Sequence, residues 1–135
     1  MKTNELMIGD WVQVPCLIDK TEHYDAWCKV RQLRDDDLDV IGFKELKYNE
    51  IVPIPITPEI LEKNGFVEFI PHNWQIVIDN IMIELRAPEH NMAIWLDWNE
   101  HDTGTYASYM LPRPDCVHEL QHALKLYGIN KEIEL

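Results

Sequence analysis

The chain is poor in the residues that simple catalytic and nucleotide-binding motifs require. Its single serine, Ser108, lies outside any G-x-S-x-G turn, and its five glycines build neither a G-x-G-x-x-G nor a phosphate-cradling loop. Serine-hydrolase and nucleotide-binding chemistry therefore have no support in the sequence. The three cysteines, Cys16, Cys28 and Cys116, are odd in number and form no C-x-x-C pair, which argues against a disulfide framework and leaves buried thiols as the expectation. Apolar runs are short, and Lys2, Glu5 and Asp10 interrupt the first segment. Neither a secretion signal nor a membrane span is expected, and the default location is the cytoplasm. Basic residues are scarce as well. With 12 Lys and Arg against 24 Asp and Glu the net charge is −12, so nucleic acid or an anionic membrane repels the molecule as a whole.

What remains is the composition of a folded globular protein, 46% apolar and 27% charged over 135 residues. A body of this size buries about 68% of its unfolded surface and needs no staple. The stretch from Tyr48 to Phe66 organises the chain, because it ends one kind of sequence and starts another. Pro53 and Pro55 fix φ and remove two backbone donors, so Ile51 to Ile56 is expected as an extended connector. A helix should then start with Thr57 as N-cap, Pro58 at its first position and Glu59 against the positive end of the dipole, and close at Gly65.

Before this joint the pattern reads as short strands. Leu6 to Val14 is a first strand bent at Gly9-Asp10, Ala26 to Leu33 a second, Leu38 to Phe43 a third and Lys47 to Ile54 a fourth, with a turn at Arg34 to Asp37. After the joint comes a meander. Phe66 to Ile70, Trp74 to Ile78, Ile81 to Leu85, Met92 to Trp98 and Thr105 to Leu111 alternate, and only Asp79-Asn80 separates the second from the third, as in a two-residue hairpin. Pro112 and Pro114 stop the sheet, Asp115 caps a final helix, and Val117, Leu120, Leu124 and Tyr127 form its apolar stripe, widened by Cys116 and Ala123. The predicted class is α+β. Residues 1–56 form a small antiparallel strand region, SH3-like or a partial barrel. Residues 57–135 form a short helix, an antiparallel meander of four to five strands and a C-terminal helix packed on it, the two regions making one compact unit.

The loudest chemical signal is His118-Glu119-Leu120-Gln121-His122, an H-E-x-x-H match. In zinc hydrolases that spacing sets two imidazoles on one helix face, with the glutamate as base. On the wheel, however, His118 and His122 lie opposite the apolar stripe, so they are expected to face solvent. Third ligands would have to come from Glu132 or Glu134 downstream, or from His90, His101 or Asp102 upstream. Asp35, Asp37 and Asp39 imitate the start of a calcium loop, but Val40 and Leu46 stand where it needs glycine and glutamate, which leaves a charged hairpin tip. Cys116 at a helix start is a nucleophile candidate, yet a helix does not turn it toward His118 and packing is the expectation. Asp97, Trp98, Glu100, His101 and Asp102 form an acidic, aromatic-edged loop; Trp98, Glu100, His101 and Asp102 are the expected interaction surface unless Trp98 tucks inward.

Three blocks carry a resemblance: Glu5-Leu6-Met7-Ile8-Gly9-Asp10-Trp11-Val12, Pro53-Ile54-Pro55-Ile56-Thr57-Pro58-Glu59-Ile60-Leu61 with Gly65-Phe66, and Val117-His118-Glu119-Leu120-Gln121. They resemble a family of small uncharacterised Bacteroidetes proteins, often from prophage or mobile-element neighbourhoods. The resemblance implies kinship across the whole chain and no activity. In that family the last helix commonly carries Asn at the position of His122 and often Gln at that of Glu119, which weakens the zinc reading. The expectation is a non-enzymatic accessory or interaction protein with an unknown protein partner, no cofactor and no resident metal. The alternatives are a zinc-dependent hydrolase using His118, Glu119 and His122, and an acidic DNA mimic that occupies a basic groove.

Overall fold

A computed structural model describes residues 6–17, 23–86, 91–96 and 108–135. The class is α+β: among the described residues there are a four-stranded and a five-stranded antiparallel sheet, each a meander, with one short and one C-terminal helix. The chain divides into two compact units, Met1–Pro55 with Cys116–His122, and Ile56–Asp115 with Ala123–Leu135.

In the first unit β1 (Trp11–Leu17), β2 (His23–Leu33), β3 (Asp37–Val40) and β4 (Phe43–Lys47) pair in chain order. Period-two alternation sends Val12, Val14, Cys28 and Val30 inward, where they meet Leu38, Val40 and Ile51 in one core. Trp27 is left 48% exposed, and the Lys29 ammonium sits 5.2 Å from the Trp11 ring centre across the β1–β2 pair. A register shift between Val30 and Gln32 inserts a bulge, which changes the phase of the strand and lets Leu33 pair with Leu38 and pack on the core.

Several boundaries differ from the sequence reading: the first strand, expected over Leu6 to Val14, runs Trp11–Leu17, and the second, expected over Ala26 to Leu33, starts at His23. The expected third strand, Leu38 to Phe43, is cut by a two-residue turn at Ile41-Gly42, and Val40 pairs with Phe43 across it. Gly42 has φ +99°, a conformation available at little cost only without a Cβ, so the turn forms inside a run that alternation alone reads as one strand. The expected fourth strand, Lys47 to Ile54, is instead β4 followed by a single 3-10 turn at Tyr48–Glu50 and an extended connector. Between Glu50 and Pro58 the strand pairing is limited to isolated bridges, Gln13 with Val52 and Pro55 with Cys116, as the prolines require.

The second unit opens with α1 (Pro58–Lys63). The Ile60 N–H donates to the Thr57 hydroxyl at 3.3 Å, Pro58 fills the first turn, and Gly65 at φ +88° ends the helix. Asn64, 4% exposed, then acts as a clip. Its amide donates to the Ile60 carbonyl at 2.8 Å and the Glu134 carbonyl at 2.7 Å, while its oxygen accepts the Glu134 N–H at 2.8 Å. This pins a C-terminal tail whose Ile129 and Ile133 are buried.

The meander is β5 (Val67–Ile70), β6 (Asn73–Ile78), β7 (Ile81–Leu85), β8 (Asn91–Trp95) and β9 (Ser108–Pro112). Asp79-Asn80 forms the expected two-residue turn, with Ile78 facing Ile81. The register sets Trp74, Leu85 and Met92 in one row and Ile76, Ile83 and Ile94 in the next, on one face. Ile83, Leu85 and Ile94 are fully covered, each worth about 1.5–3 kcal/mol of burial. α2 (Val117–Leu126) is shared between the units, and Val117, Leu120 and Leu124 of its stripe are buried as expected. Among the described residues no helix is long and apolar enough to cross a membrane.

Candidate functional site

The segment that enters α2 is where the polar residues of the first unit gather. After Pro114 the chain bends at Asp115 and reaches Cys116, which bridges to Pro55, and the Val117 N–H donates to the Ile54 carbonyl at 2.9 Å. Cys116 thus precedes the helix and does not share its 3.6-residue period. That overturns the wheel argument that kept it apart from His118. Its Sγ lies 3.4 Å from Nδ1 and 3.7 Å from Nε2 of His118, and both residues are buried.

The expectation that both imidazoles face water is also overturned. His118 is 4% exposed, and the side chain of His122 is 23% exposed. The reason is a turn far away in sequence. Gly9, at φ +95°, folds the chain back at Met7 to Asp10, and the Asp10 carboxylate, fully enclosed, accepts the Met7 N–H at 2.6 Å. Both of its oxygens lie 2.9 Å from Nε2 of His122. A carboxylate only accepts, so this contact requires the hydrogen on Nε2. The two rings stand 5.7 Å apart, edge toward face. Each imidazole of the H-E-x-x-H segment therefore has its own partner, Cys116 for His118 and Asp10 for His122, rather than a shared target.

Sequence reasoning missed Asp10, although a signal was present. An acid inside Leu6-Met7-Ile8-Gly9-Asp10-Trp11-Val12 cannot be covered at low cost without a hydrogen-bond donor, so its burial implies a distant one. Among the described residues, Cys116, His118 and Glu119 are the group whose potential ligand atoms all lie within 4.8 Å of one another. Glu119 is exposed at the rim of this cluster. Glu132 and Glu134 belong to the tail of the second unit.

The other expected sites resolve differently. At the hairpin tip Arg34 forks onto two carboxylates, reaching Asp37 at 2.6 Å and Asp39 at 3.1 and 2.9 Å, while Lys47 stands 3.7 Å from Asp37. The hydrogen bond from Arg34, and after it the Glu45 backbone N–H, holds the Asp39 carboxyl below the ordinary carboxylate range, and the hydrogen bonds to Asp39 and then Asp37 push the guanidinium up. Those carboxylates already have cations, so the tip is an ion-pair network. Ser108 is exposed on β9 and Cys28 is part of the core. Trp98, Glu100, His101 and Asp102, the expected interaction surface, lie outside the described residues, as do His90 and Asp97.

Two surface features were not foreseen. A cleft of about 580 Å³ is lined by Arg31, Lys44 and Phe43, among others. The edge strand β5 is exposed along all four residues, with Val67 at 61%, Phe69 at 41% and Ile70 at 50%. Comparison with family models, curated proteins and solved structures returns no match.

Proposed function

We propose that this is a non-enzymatic protein-interaction protein that binds an extended, basic segment of a partner. The observation that carries the reading is β5. An edge strand offers backbone N–H and C=O groups that a partner strand can pair with, and alternating side chains supply the specificity. Here that edge is apolar and open to solvent. A partner strand can cover Val67, Phe69 and Ile70 while its lysines and arginines meet a chain of net charge −12. Glu68 and the bulge between Glu68 and Ile70 both work against pairing with another copy of the same edge.

The setting we propose is the bacterial cytoplasm, as an accessory factor of a mobile element or prophage, on the strength of the sequence resemblance. The four-strand meander is taken as an SH3-like partial barrel, supported by its short strands and its bulge. A zinc hydrolase with His118 and His122 as ligands and Glu119 as base is the weaker reading, because His122 turns Nε2 to Asp10.

The test is a panel of extended peptides graded in charge and apolar content, titrated against the wild type and against Phe69→Lys and Val67→Lys. Basic apolar peptides should bind, more weakly as salt rises. The lysine variants, folded by circular dichroism, should lose about tenfold or more of that affinity, or 1.4 kcal/mol. Equal binding by wild type and variants, or preference for acidic peptides, would refute the reading.

A further inference from the structure

We propose that the cleft beside β3 in the four-stranded sheet binds a small organic phosphate monoester, its phosphate held by Arg31 and Lys44 and its apolar body lying against Phe43. The site belongs wholly to the first unit and is independent of the apolar edge strand β5. It is also unlike a phosphate-cradling loop, since its donors are side-chain cations rather than glycine amides.

Strand register builds the site. Around Asp39 both neighbouring strands carry one residue too many. On β2, Val30 pairs with Val40 and Gln32 with Asp39, so Arg31 is the extra residue. On β4, Phe43 pairs with Val40 and Leu46 with Leu38, so Lys44 and Glu45 together stand opposite Asp39. An extra residue breaks the period-two alternation and re-aims the side chains near it. The two bulges flank Asp39 from opposite sides, and Arg31, Gln32, Asp39, Phe43 and Lys44 line a single cavity of about 580 Å³. That volume falls in the range of roughly 300–1,000 Å³ that holds small molecules. Glu45 shows the strain this requires: it sits at φ +54°, a left-handed conformation that a residue with a Cβ rarely adopts. Its N–H donates to Oδ1 of Asp39 at 2.8 Å, which holds the bulge in place.

Charge selects the ligand. The protein carries −12 overall, yet the two exposed cations of this cleft form no salt bridge of their own among the described residues. The carboxylate in the lining is already matched. Both oxygens of Asp39 accept from Arg34, at 3.1 and 2.9 Å, so a cation outside the lining offsets its charge. Arg31 and Lys44 are left over. A phosphate monoester brings about −1.5 to −2 of charge at neutral pH and three acceptor oxygens, where a carboxylate brings about −1 and two. The Arg31 guanidinium can fork onto two of those oxygens while the Lys44 ammonium acts as a point charge. Half-buried Phe43 supplies an apolar wall in the same cleft, which a bare inorganic anion does not use.

The test titrates the full chain with phenyl phosphate, inorganic phosphate and benzoate, followed by calorimetry and by amide NMR shifts. One equivalent of phenyl phosphate should bind, about tenfold or more tighter than either of the others, with shifts centred on Arg31, Gly42 and Lys44. Arg31→Ala and Lys44→Ala, both at exposed positions, should each weaken binding about tenfold or more. Arg31→Lys keeps the charge but loses the planar fork, and should recover only part of that loss. Lys47→Ala, which removes a cation of the same strand outside the cleft, should bind as the wild type does. The proposal is overturned if the folded wild type shows no saturable binding of phenyl phosphate, if inorganic phosphate or benzoate binds as tightly, or if both alanine variants keep wild-type affinity. It is equally overturned if Lys47→Ala weakens binding as much as Lys44→Ala, the mark of diffuse charge attraction. Tighter binding of a phosphotyrosine peptide than of phenyl phosphate would assign the cleft to a protein partner and overturn it too. Should an alanine variant fail to fold, the order of the three ligands and the shift map of the wild type decide.

Discussion

Replacing His122 with alanine should destabilise the first unit by about 2–3 kcal/mol. The size follows from the surroundings of Asp10. Removing the donor from an enclosed carboxylate costs up to about 3–5 kcal/mol, because the charge that remains is stranded. Two features reduce the figure here. The His122 side chain is 23% exposed, so water can reach the space it vacates, and the Met7 N–H stays on the carboxylate at 2.6 Å. Asp10→Asn keeps an acceptor and removes only the charge-assisted part of the bond, about 1–2 kcal/mol. The double variant should cost less than the two single losses combined, with a coupling of about 1–2 kcal/mol, because each change removes the same contact. Urea unfolding followed by tryptophan fluorescence measures all four proteins. With a slope of about 2 kcal/mol per molar, His122→Ala should lower the midpoint by about 1–1.5 M. A His122→Ala protein within about 0.5 kcal/mol of the wild type, or a coupling near zero, would refute the argument that the two residues hold each other.

Asn64→Ala should cost about 2–3 kcal/mol, since it leaves the Glu134 N–H and carbonyl without their partner, and amide exchange at Glu134 should speed up ahead of global unfolding. Thr57→Ala removes the hydroxyl that accepts the Ile60 N–H and should lower stability by about 1 kcal/mol, read as a shift in the thermal midpoint. Asp39 has a folded pKa lowered from the ordinary 3.8, so its contribution to stability is present above that value and is lost as pH falls through the folded pKa. Arg34→Ala should raise the Asp39 midpoint in a carboxyl NMR titration toward the ordinary range, and an unchanged midpoint would refute the pairing.

The sequence by itself determined the features whose energy is set within a few residues. Thr57 and Pro58 start α1 because a hydroxyl acceptor and a fixed φ act on the next turn. Asp79-Asn80 turns between two alternating runs because two residues suffice to reverse a strand. The connector at Pro53 and Pro55 follows from missing donors. The helix stripe likewise named Val117, Leu120 and Leu124, since burial of apolar area follows the period of the backbone.

Tertiary structure alone decided where the polar groups went. The wheel of α2 assigns His118 and His122 to the side away from the apolar stripe, and on an isolated helix that side is wet. The turn at Gly9 covers it with Asp10, a partner 112 residues distant in the chain, which no local period can anticipate. Cys116 reaches His118 because its bridge to Pro55 holds it outside the helical period. The bulge at Val30/Gln32 and the turn at Ile41-Gly42 arise in the same way. Pairing with a neighbouring strand, rather than the propensity of the strand itself, settles which residues face each other.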